Sequence, residues 1–163
     1  MGLAAGRAAL QSLKAEAARL REENERLEKQ GKQLEKEIQQ MKARGAQAQA
    51  RSVPAKDIGS FHVYFQKFPE PMGPVVLRSC VDVIQKTDSQ AVISFADSEG
   101  CIVAASGDSA QQQGISAKHL INFWTRWAGG SGGGRESMAQ GRIEKLEFFS
   151  MPKFEQFFQE RSK

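Results

Sequence analysis

A glycine-rich segment is the part of the sequence best suited to bind a charged ligand. Residues 129–142 read GGSGGGRESMAQGR, with five glycines among the first six positions. No side chain there keeps a ligand away, so successive backbone N–H groups can form a concave anion-binding site. Arg135 can add bidentate hydrogen bonds, and Gln140 carries both a donor and an acceptor. The segment predicts a loop that binds a phosphate-bearing ligand.

Glycine composition by itself is also typical of a flexible linker, which is the alternative interpretation of this segment. Two familiar phosphate-binding motifs are excluded. The Lys-Ser/Thr ending of a Walker loop is missing, and no helix-opening G-x-G-x-x-G follows a predicted strand.

The remaining reactive residue types do not form a catalytic or metal-binding pattern. His62 and His119 are the only histidines, and neither has zinc-site spacing with Cys80 or Cys101. No set of nucleophile, base and orienting group is visible. We therefore interpret the cysteines as reduced core thiols. We predict that the protein is not an enzyme and holds neither a cofactor nor a metal.

Apolar residues recur every seven positions through residues 1–43, which predicts a coiled-coil helix. The two heptad series consist of Leu13, Leu20, Leu27, Leu34 and Met41 at d, and Leu10, Ala17, Asn24, Gly31 and Ile38 at a. A seam this narrow needs a partner helix. Leucine at d and Asn24 at a favour a parallel homodimer. An antiparallel pair, or a helix that docks on a larger protein, is the alternative. The predicted dimerisation residues are Leu13, Leu20, Asn24, Leu27, Leu34, Ile38 and Met41.

The heptads stop before residues 44–60, where two glycines and a proline predict a linker. Every aromatic residue lies after position 60, so residues 61–163 must contain the compact core. Their patterns predict a strand at 61–65, a helix at 75–87, a hairpin at 91–106 that turns at 97–100, and a helix at 115–128 capped by Ser116. The predicted fold class is α+β. It comprises a small, mainly antiparallel sheet with helices packed on one face, and a glycine-rich loop.

Five phenylalanines near the end of the chain have the spacing of a helix that packs on the sheet. They are Phe148, Phe149, Phe154, Phe157 and Phe158. An exposed aromatic strip that stacks bases or holds a partner protein is the alternative.

The charge balance permits a phosphate-bearing partner without requiring one. The net charge is +4 and the pI is about 9.2. No apolar run approaches the roughly 20 residues of a membrane span. We expect a cytoplasmic protein. An organellar location stays open because residues 1–15 carry Arg7 and Lys14 and no acidic residue.

The glycine-rich segment also carries a resemblance to a known family. Gly132–Gly134, Arg135 and Ala139–Gly141 resemble the glycine-rich Lys/Arg-x-x-x-Ala-Gln motif near the end of alanyl-tRNA synthetases. The same module is the DHH-associated domain of DHH phosphoesterases. The order of predicted elements matches as well, and the resemblance covers about residues 60–142. Ser131, Arg142 and the segment 144–163 depart from the family pattern.

The resemblance implies a domain that contacts tRNA, near its elbow in the synthetases, and helps the protein to dimerise. The RNA-binding residues that the resemblance implies are Gly132, Gly133, Gly134, Arg135 and Gln140. We add Arg142 to this predicted set, although it departs from the family pattern. The histidine and cysteine motifs of the family's editing domain are missing from this chain. We thus predict a non-catalytic module that binds tRNA or another structured RNA. The alternatives are a dimeric adaptor without a ligand and an accessory domain for a synthetase or editing deacylase on another chain.

Overall fold

The computed structural model describes residues 2–161 and divides into two units, the first ending at Met41 and the second beginning at Lys42. The helices and strands, in chain order, are α1 Gly2–Ser52, β1 Lys56–Ile58, β2 Phe61–Lys67, α2 Gly73–Thr87, β3 Ala91–Ala96, β4 Cys101–Ser106, α3 Asp108–Gln112, α4 Ala117–Ala128, β5 Gly130–Gly134, β6 Met138–Ile143 and α5 Met151–Arg161. A single 3₁₀ turn, Leu146–Phe148, precedes α5.

The first unit consists of helix α1 up to Met41, as the heptads predict. The apolar seam is exposed along its whole length. Leu10, Leu13, Leu20, Leu27, Leu34, Ile38 and Met41 are between 47% and 70% exposed. A lone helix gains nothing from such a seam, because burial against a partner is what makes it favourable.

The predicted linker is wrong, because residues 44–60 are largely structured. Helix α1 runs through Gly45 to Ser52, and β1 follows at Lys56–Ile58. Glycine in a helix costs only about 1 kcal/mol relative to alanine, which packing can offset. Ala46 and Ala50 supply that packing, since both are buried in the same apolar cluster as α2.

The second unit contains a six-stranded sheet in the order β1-β2-β3-β4-β6-β5. All neighbouring pairs are antiparallel except β2 and β3. Helix α2 joins those two parallel strands, because parallel neighbours need a crossover connection. The predicted α+β class with a mainly antiparallel sheet is confirmed. The predicted hairpin at 91–106 corresponds to β3 and β4.

The helices pack on both faces of the sheet rather than on one. Val92 and Ala96 of β3 belong to a cluster with α4 and α5, whereas Ile93 and Phe95 belong to a cluster with α2 and the end of α1. We call these the α4 face and the α2 face. Strands β3 and β4 are buried at every position. Their sequences, AVISFA and CIVAAS, are apolar apart from one serine each, which is typical of strands covered on both sides. The single-face prediction is therefore wrong.

The beginning of α2 is fixed by a buried carboxylate, Asp97, which is 1% exposed. One of its oxygens accepts hydrogen bonds from the N–H groups of Met72 and Gly73, each at 3.0 Å. The other accepts from Glu99 at 2.9 Å and Cys101 at 3.0 Å. Burial acts to raise the pKa of Asp97, but the four donors outweigh it and lower the pKa. This one side chain closes the β3–β4 turn and holds the first turn of α2.

Candidate RNA-binding site

The glycine-rich segment is an edge strand, so the predicted loop is wrong. Strand β5 pairs antiparallel with β6, with Gly133 opposite Gln140 and Gly134 opposite Ala139. Residues 135–137 form the turn, and the Arg135 N–H donates to the Met138 carbonyl at 2.9 Å. Successive N–H groups of a strand point in opposite directions within the sheet. The segment therefore does not form the concave nest that a loop would offer.

Close packing explains the glycines at positions 130 and 132 of β5. A Cβ atom at Gly132 would lie 2.6 Å from Ile121 Cγ2 on α4 and 2.7 Å from the Gln140 carbonyl oxygen. At Gly130 the φ angle is 103°, a conformation that other residues rarely adopt, and a Cβ there would overlap the Arg142 carbonyl oxygen. Tertiary contacts therefore select a strand that the composition does not predict.

Gly132 and Gly133 provide a matched test of this packing. We expect Gly132→Ala to lower the free energy of unfolding by about 1–3 kcal/mol, because the new methyl group meets α4 and β6. Gly133→Ala should change it by less than about 0.5 kcal/mol, because nothing lies within 4 Å of a Cβ at that position. Urea titrations of the two variants measure both values. Equal stabilities would contradict the close approach of α4 to β5.

A groove of about 580 Å³ lies on the α2 face, between α2 and the β5–β6 hairpin. Helix α2 contributes Arg78, Asp82 and Gln85, and the hairpin contributes residues 133–135 and 137–140. Within residues 2–161, no helix covers this side of the hairpin, because α2 packs over β3 and β4. We call this site the α2–hairpin groove.

The groove contains most, but not all, of the predicted RNA-binding residues. The residues that line it are Gly133, Gly134, Arg135 and Gln140. Gly132 instead faces Ile121 on the opposite side of the sheet. Arg142 shares the α2 face with Gln140, since side chains two positions apart in a strand point the same way, but it lies outside the groove.

Arg78 and Gln85 were not predicted from the sequence. Together with Asp82 they occur at positions i, i+4 and i+7 of α2, which places them on one side of the helix. That spacing is visible in the sequence as a polar stripe on an otherwise apolar helix. The sequence does not reveal that this stripe faces the glycine strand, because β6 rather than β5 is the neighbour of β4.

The groove carries two guanidinium groups without a carboxylate partner. Within residues 2–161, neither Arg78 nor Arg135 forms an ion pair. The acidic side chain of the groove, Asp82, lies 2.8 Å from Lys86 Nζ and is already compensated. Unpaired arginines beside an exposed glycine strand are suited to a phosphate, which they can bind through two parallel hydrogen bonds.

The turn that carries Arg135 is held in place from two sides. Gln85 Nε2 donates to the carbonyl oxygens of Ser106 at 2.9 Å and Ser137 at 2.8 Å, which ties α2 to the hairpin. The Glu136 carbonyl accepts from the Ala117 N–H at 2.8 Å, at the start of α4. Arg135 therefore extends from a turn that needs little reorganisation to meet a ligand.

Three other side chains of the second unit, Tyr64, Cys80 and Cys101, have pKa values that are raised by their packing in the fold. Tyr64 and His62 both contact Asp88 Oδ2, each at 2.8 Å. Desolvation and this carboxylate raise the pKa of Tyr64 to about 12, so the phenol stays neutral. Cys80 and Cys101 are buried and unpaired, as predicted, and burial raises the pKa of each thiol to about 11. Thiols with such pKa values are poor nucleophiles at neutral pH.

The part of the chain that the structure describes has no group of three or more His, Cys, Asp or Glu side chains placed to hold a metal ion. None of its helices has both the length and the apolar character needed to cross a membrane.

The fold and its glycine edge strand define the class of domain. The DHHA1 domain model matches residues 61–160, and the chain belongs to this family. Its fold is that of the C-Ala domain from Aquifex aeolicus alanyl-tRNA synthetase, with a TM-score of 0.56 and 23% identity over 65% of this chain and 95% of that one. A DHH domain from a member of the S1p family of ribosomal proteins also aligns, with a TM-score of 0.52, 13% identity, and coverage of 78% and 31%.

Two curated relatives are alanine–tRNA ligases. The protein from Corynebacterium jeikeium is 35% identical over 92 residues, which is 53% of this chain and 10% of the relative. The protein from Methanococcoides burtonii is 25% identical over 88 residues, which is 53% of this chain and 9% of the relative. The chain thus spans about a tenth of these relatives. The resemblance to the synthetase C-terminal domain is confirmed, and the match is to that domain rather than to a catalytic one.

Proposed function

We propose that this protein is a non-catalytic module that binds tRNA, or another structured RNA, in the α2–hairpin groove. The observation that carries the proposal is that Arg78 and Arg135, neither of which forms an ion pair within residues 2–161, lie in one groove beside Gly133 and Gly134. Phosphate contacts supply most of the affinity of many RNA-binding proteins. The curated relatives are named as alanine–tRNA ligases, so we propose tRNA as the RNA that binds in this groove.

We propose a role for six of the residues that line the groove. The two guanidinium groups bind phosphate oxygens from two walls of the groove, Arg78 from α2 and Arg135 from the hairpin turn. Gly133 and Gly134 let the RNA backbone lie close against β5, because they have no side chain that would stand between the RNA and the strand. Gln140 adds a donor and an acceptor that suit a ribose hydroxyl or a base edge. Gln85 positions the hairpin and does not touch the RNA.

We also propose that the module is a parallel homodimer formed through α1. The exposed seam supports this, since seven large apolar residues on one side of a helix favour burial against a second copy. The predicted contacts are made by Leu13, Leu20, Asn24, Leu27, Leu34, Ile38 and Met41. A dimer carries two grooves, so that two weak RNA contacts act together.

The same seam also fits the second candidate function, an adaptor or accessory domain that docks on a synthetase or editing deacylase. In that case the seam pairs with a helix of the other protein. Sedimentation of the purified chain distinguishes the two arrangements. A dimer supports the homodimer, and a monomer that pairs only with a synthetase or deacylase supports the accessory role.

Charge removal in the groove tests the proposed function. We expect Arg78→Gln and Arg135→Gln each to weaken binding to bulk tRNA about tenfold, the value of one lost charge-assisted contact. Filter binding over a range of salt concentrations measures this loss. Each variant should also make the salt dependence shallower by about one unit of logarithmic slope.

Arg51→Gln is the matched control, since it removes an exposed arginine that does not line the groove. It should bind tRNA nearly as well as the wild type. Groove variants with undiminished affinity, and circular dichroism spectra like that of the wild type, would contradict the site.

A further inference from the structure

Two aromatic rings of the second unit are exposed although the others lie mostly in its core. Trp127, at the end of α4, is 37% exposed, and Phe148, in the 3₁₀ turn, is 38% exposed. The Lys145 N–H donates to the Ala128 carbonyl at 2.9 Å, which brings the turn next to the end of α4. Trp124, one turn earlier in α4, is fully buried. The exposure of Trp127 and Phe148 is therefore local to this corner of the domain.

Cationic side chains surround the two rings. Lys153 Nζ lies 3.4 Å from the centroid of the Trp127 ring, and Arg126 Cζ lies 5.9 Å from it. Lys145 Nζ lies 5.9 Å from the centroid of the Phe148 ring. A cation over a ring is attracted by the negative face of the π system, so these side chains are held beside the rings. We call the five residues, Arg126, Trp127, Lys145, Phe148 and Lys153, the Trp127 patch.

The charges of the Trp127 patch are available to a ligand. Within residues 2–161, none of its three cations lies within 4.0 Å of a carboxylate. Glu144 and Glu147 are close in sequence, yet neither forms an ion pair with these cations. The patch thus combines exposed π surface with unpaired positive charge.

The Trp127 patch is separate from the α2–hairpin groove. Helix α4 packs on one face of the sheet and α2 on the other, so the two sites lie on opposite faces. Strand β5 connects them, since it begins three residues after Trp127 and ends at the groove. At about 3.3 Å per residue, its five residues span roughly 16 Å.

We propose that the Trp127 patch is a second RNA-contact surface, on which an unpaired nucleobase stacks. The base lies against the exposed side of Trp127 or Phe148, and the three cations bind the phosphates on either side of it. An RNA ligand is favoured over an apolar protein segment, because three unpaired cations around two rings complement planar bases joined by phosphates. The proposal rests on the proposed function and adds to it a preference for RNA with unpaired bases.

Intrinsic fluorescence gives a direct readout, because Trp124 and Trp127 are the only tryptophans. Trp124 is buried and donates from Nε1 to Ser94 Oγ at 3.0 Å, so it is shielded from RNA. We expect a single-stranded oligoadenylate to quench the wild type and to leave Trp127→Leu unquenched. The affinity of Trp127→Leu for the oligonucleotide should fall about tenfold, whereas Trp127→Phe, which keeps a ring, should fall much less.

Heparin, a polyanion without bases, separates stacking from charge attraction. Trp127→Leu should bind heparin as well as the wild type does. Lys153→Gln should bind both heparin and the oligonucleotide more weakly. If Trp127→Leu retains wild-type affinity for the oligonucleotide while Arg135→Gln loses it, the groove stands and the patch is refuted. If the wild type binds neither tRNA nor the oligonucleotide, both proposals fail. Equal losses for heparin and RNA in Trp127→Leu would show a general polyanion surface and overturn base stacking.

Discussion

Asp97→Ala is expected to lower the free energy of unfolding by about 3–5 kcal/mol. Four backbone N–H groups, at Met72, Gly73, Glu99 and Cys101, donate to this carboxylate at 2.9–3.0 Å. A donor left without a partner costs about 1–3 kcal/mol when it is buried, and water can replace only part of the set. Urea or thermal unfolding of the variant measures the loss. A decrease below about 1 kcal/mol would contradict this role of Asp97.

The effect of Asp97 should depend on pH in a known direction. Its pKa is lowered in the folded state, so its stabilising contribution is present above the unfolded value of 3.8 and is lost as the pH falls through the folded pKa. The stability difference between the wild type and Asp97→Ala should therefore shrink on acidification from pH 6 to pH 3. Asp97→Asn is the isosteric control. It keeps one acceptor oxygen and should lie between the other two proteins at pH 6.

The consequence of Asp97→Ala extends to the groove, because Asp97 holds the first turn of the helix that carries Arg78 and Gln85. Without the hydrogen bonds to Asp97, the first turn of α2 is held less firmly. This should weaken tRNA binding even under conditions in which the domain stays folded. The loss should be smaller than that of Arg78→Gln, since the guanidinium group itself remains.

The double substitution Leu20→Lys with Leu27→Lys is expected to convert a dimer into a monomer. Both leucines occupy d positions and are about half exposed in the single chain. Two lysines in each seam would place four like charges against one another in a dimer. Sedimentation velocity measures the change of state. The affinity for tRNA should fall by at least tenfold, because the second groove no longer acts at a high effective concentration.

Gln11→Lys with Ala18→Lys is the matched control for the seam. These positions also lie seven residues apart on α1, but two residues before Leu13 and Leu20 in the heptad, outside the a and d seam. The control adds the same charge and should remain dimeric with full RNA affinity. A monomeric wild type, or a seam variant that stays dimeric, would contradict the proposed homodimer.

Much of the fold is predictable from local pattern. The apolar spacing of residues 75–87 predicts α2, and Ser116 is the N-cap of α4, where its hydroxyl accepts from the His119 N–H at 3.2 Å. The phenylalanine spacing predicts α5, and four of the five rings are buried. These elements follow from contacts between residues a few positions apart, which a periodic sequence encodes directly.

The glycine strand is not predictable in this way, because glycine has a low intrinsic preference for strands. What makes β5 a strand is its pairing with β6 and the proximity of Ile121, both of which depend on the tertiary fold. The extension of α1 through Gly45 likewise depends on buried contacts of Ala46 and Ala50. Signals for turns and linkers are weak where packing can compensate for them.

The candidate site likewise contains residues that the sequence identifies and residues that only the tertiary fold brings together. Arg135 and Gln140 belong to a motif that is contiguous in sequence, so the sequence identifies them. Arg78 lies more than fifty residues earlier, and only the sheet order, with β6 between β4 and β5, brings its helix beside the glycine strand. Gly132 belongs to the motif but faces the opposite side of the sheet, because successive residues of a strand alternate between its two faces. Arg142, which follows the motif, points to the same face as Gln140 but lies beyond the groove.

Binding of tRNA in the α2–hairpin groove can be tested directly by titrating ¹⁵N-labelled protein with tRNA and following the backbone amide resonances. We expect the largest shifts or losses of intensity at Gly133, Gly134 and Arg135, together with the turn of α2 that contains Arg78. The same titration of Arg135→Gln should need about tenfold more tRNA for equal changes. RNA-dependent changes confined to α1, with the groove resonances unmoved at saturation, would contradict RNA binding in the α2–hairpin groove.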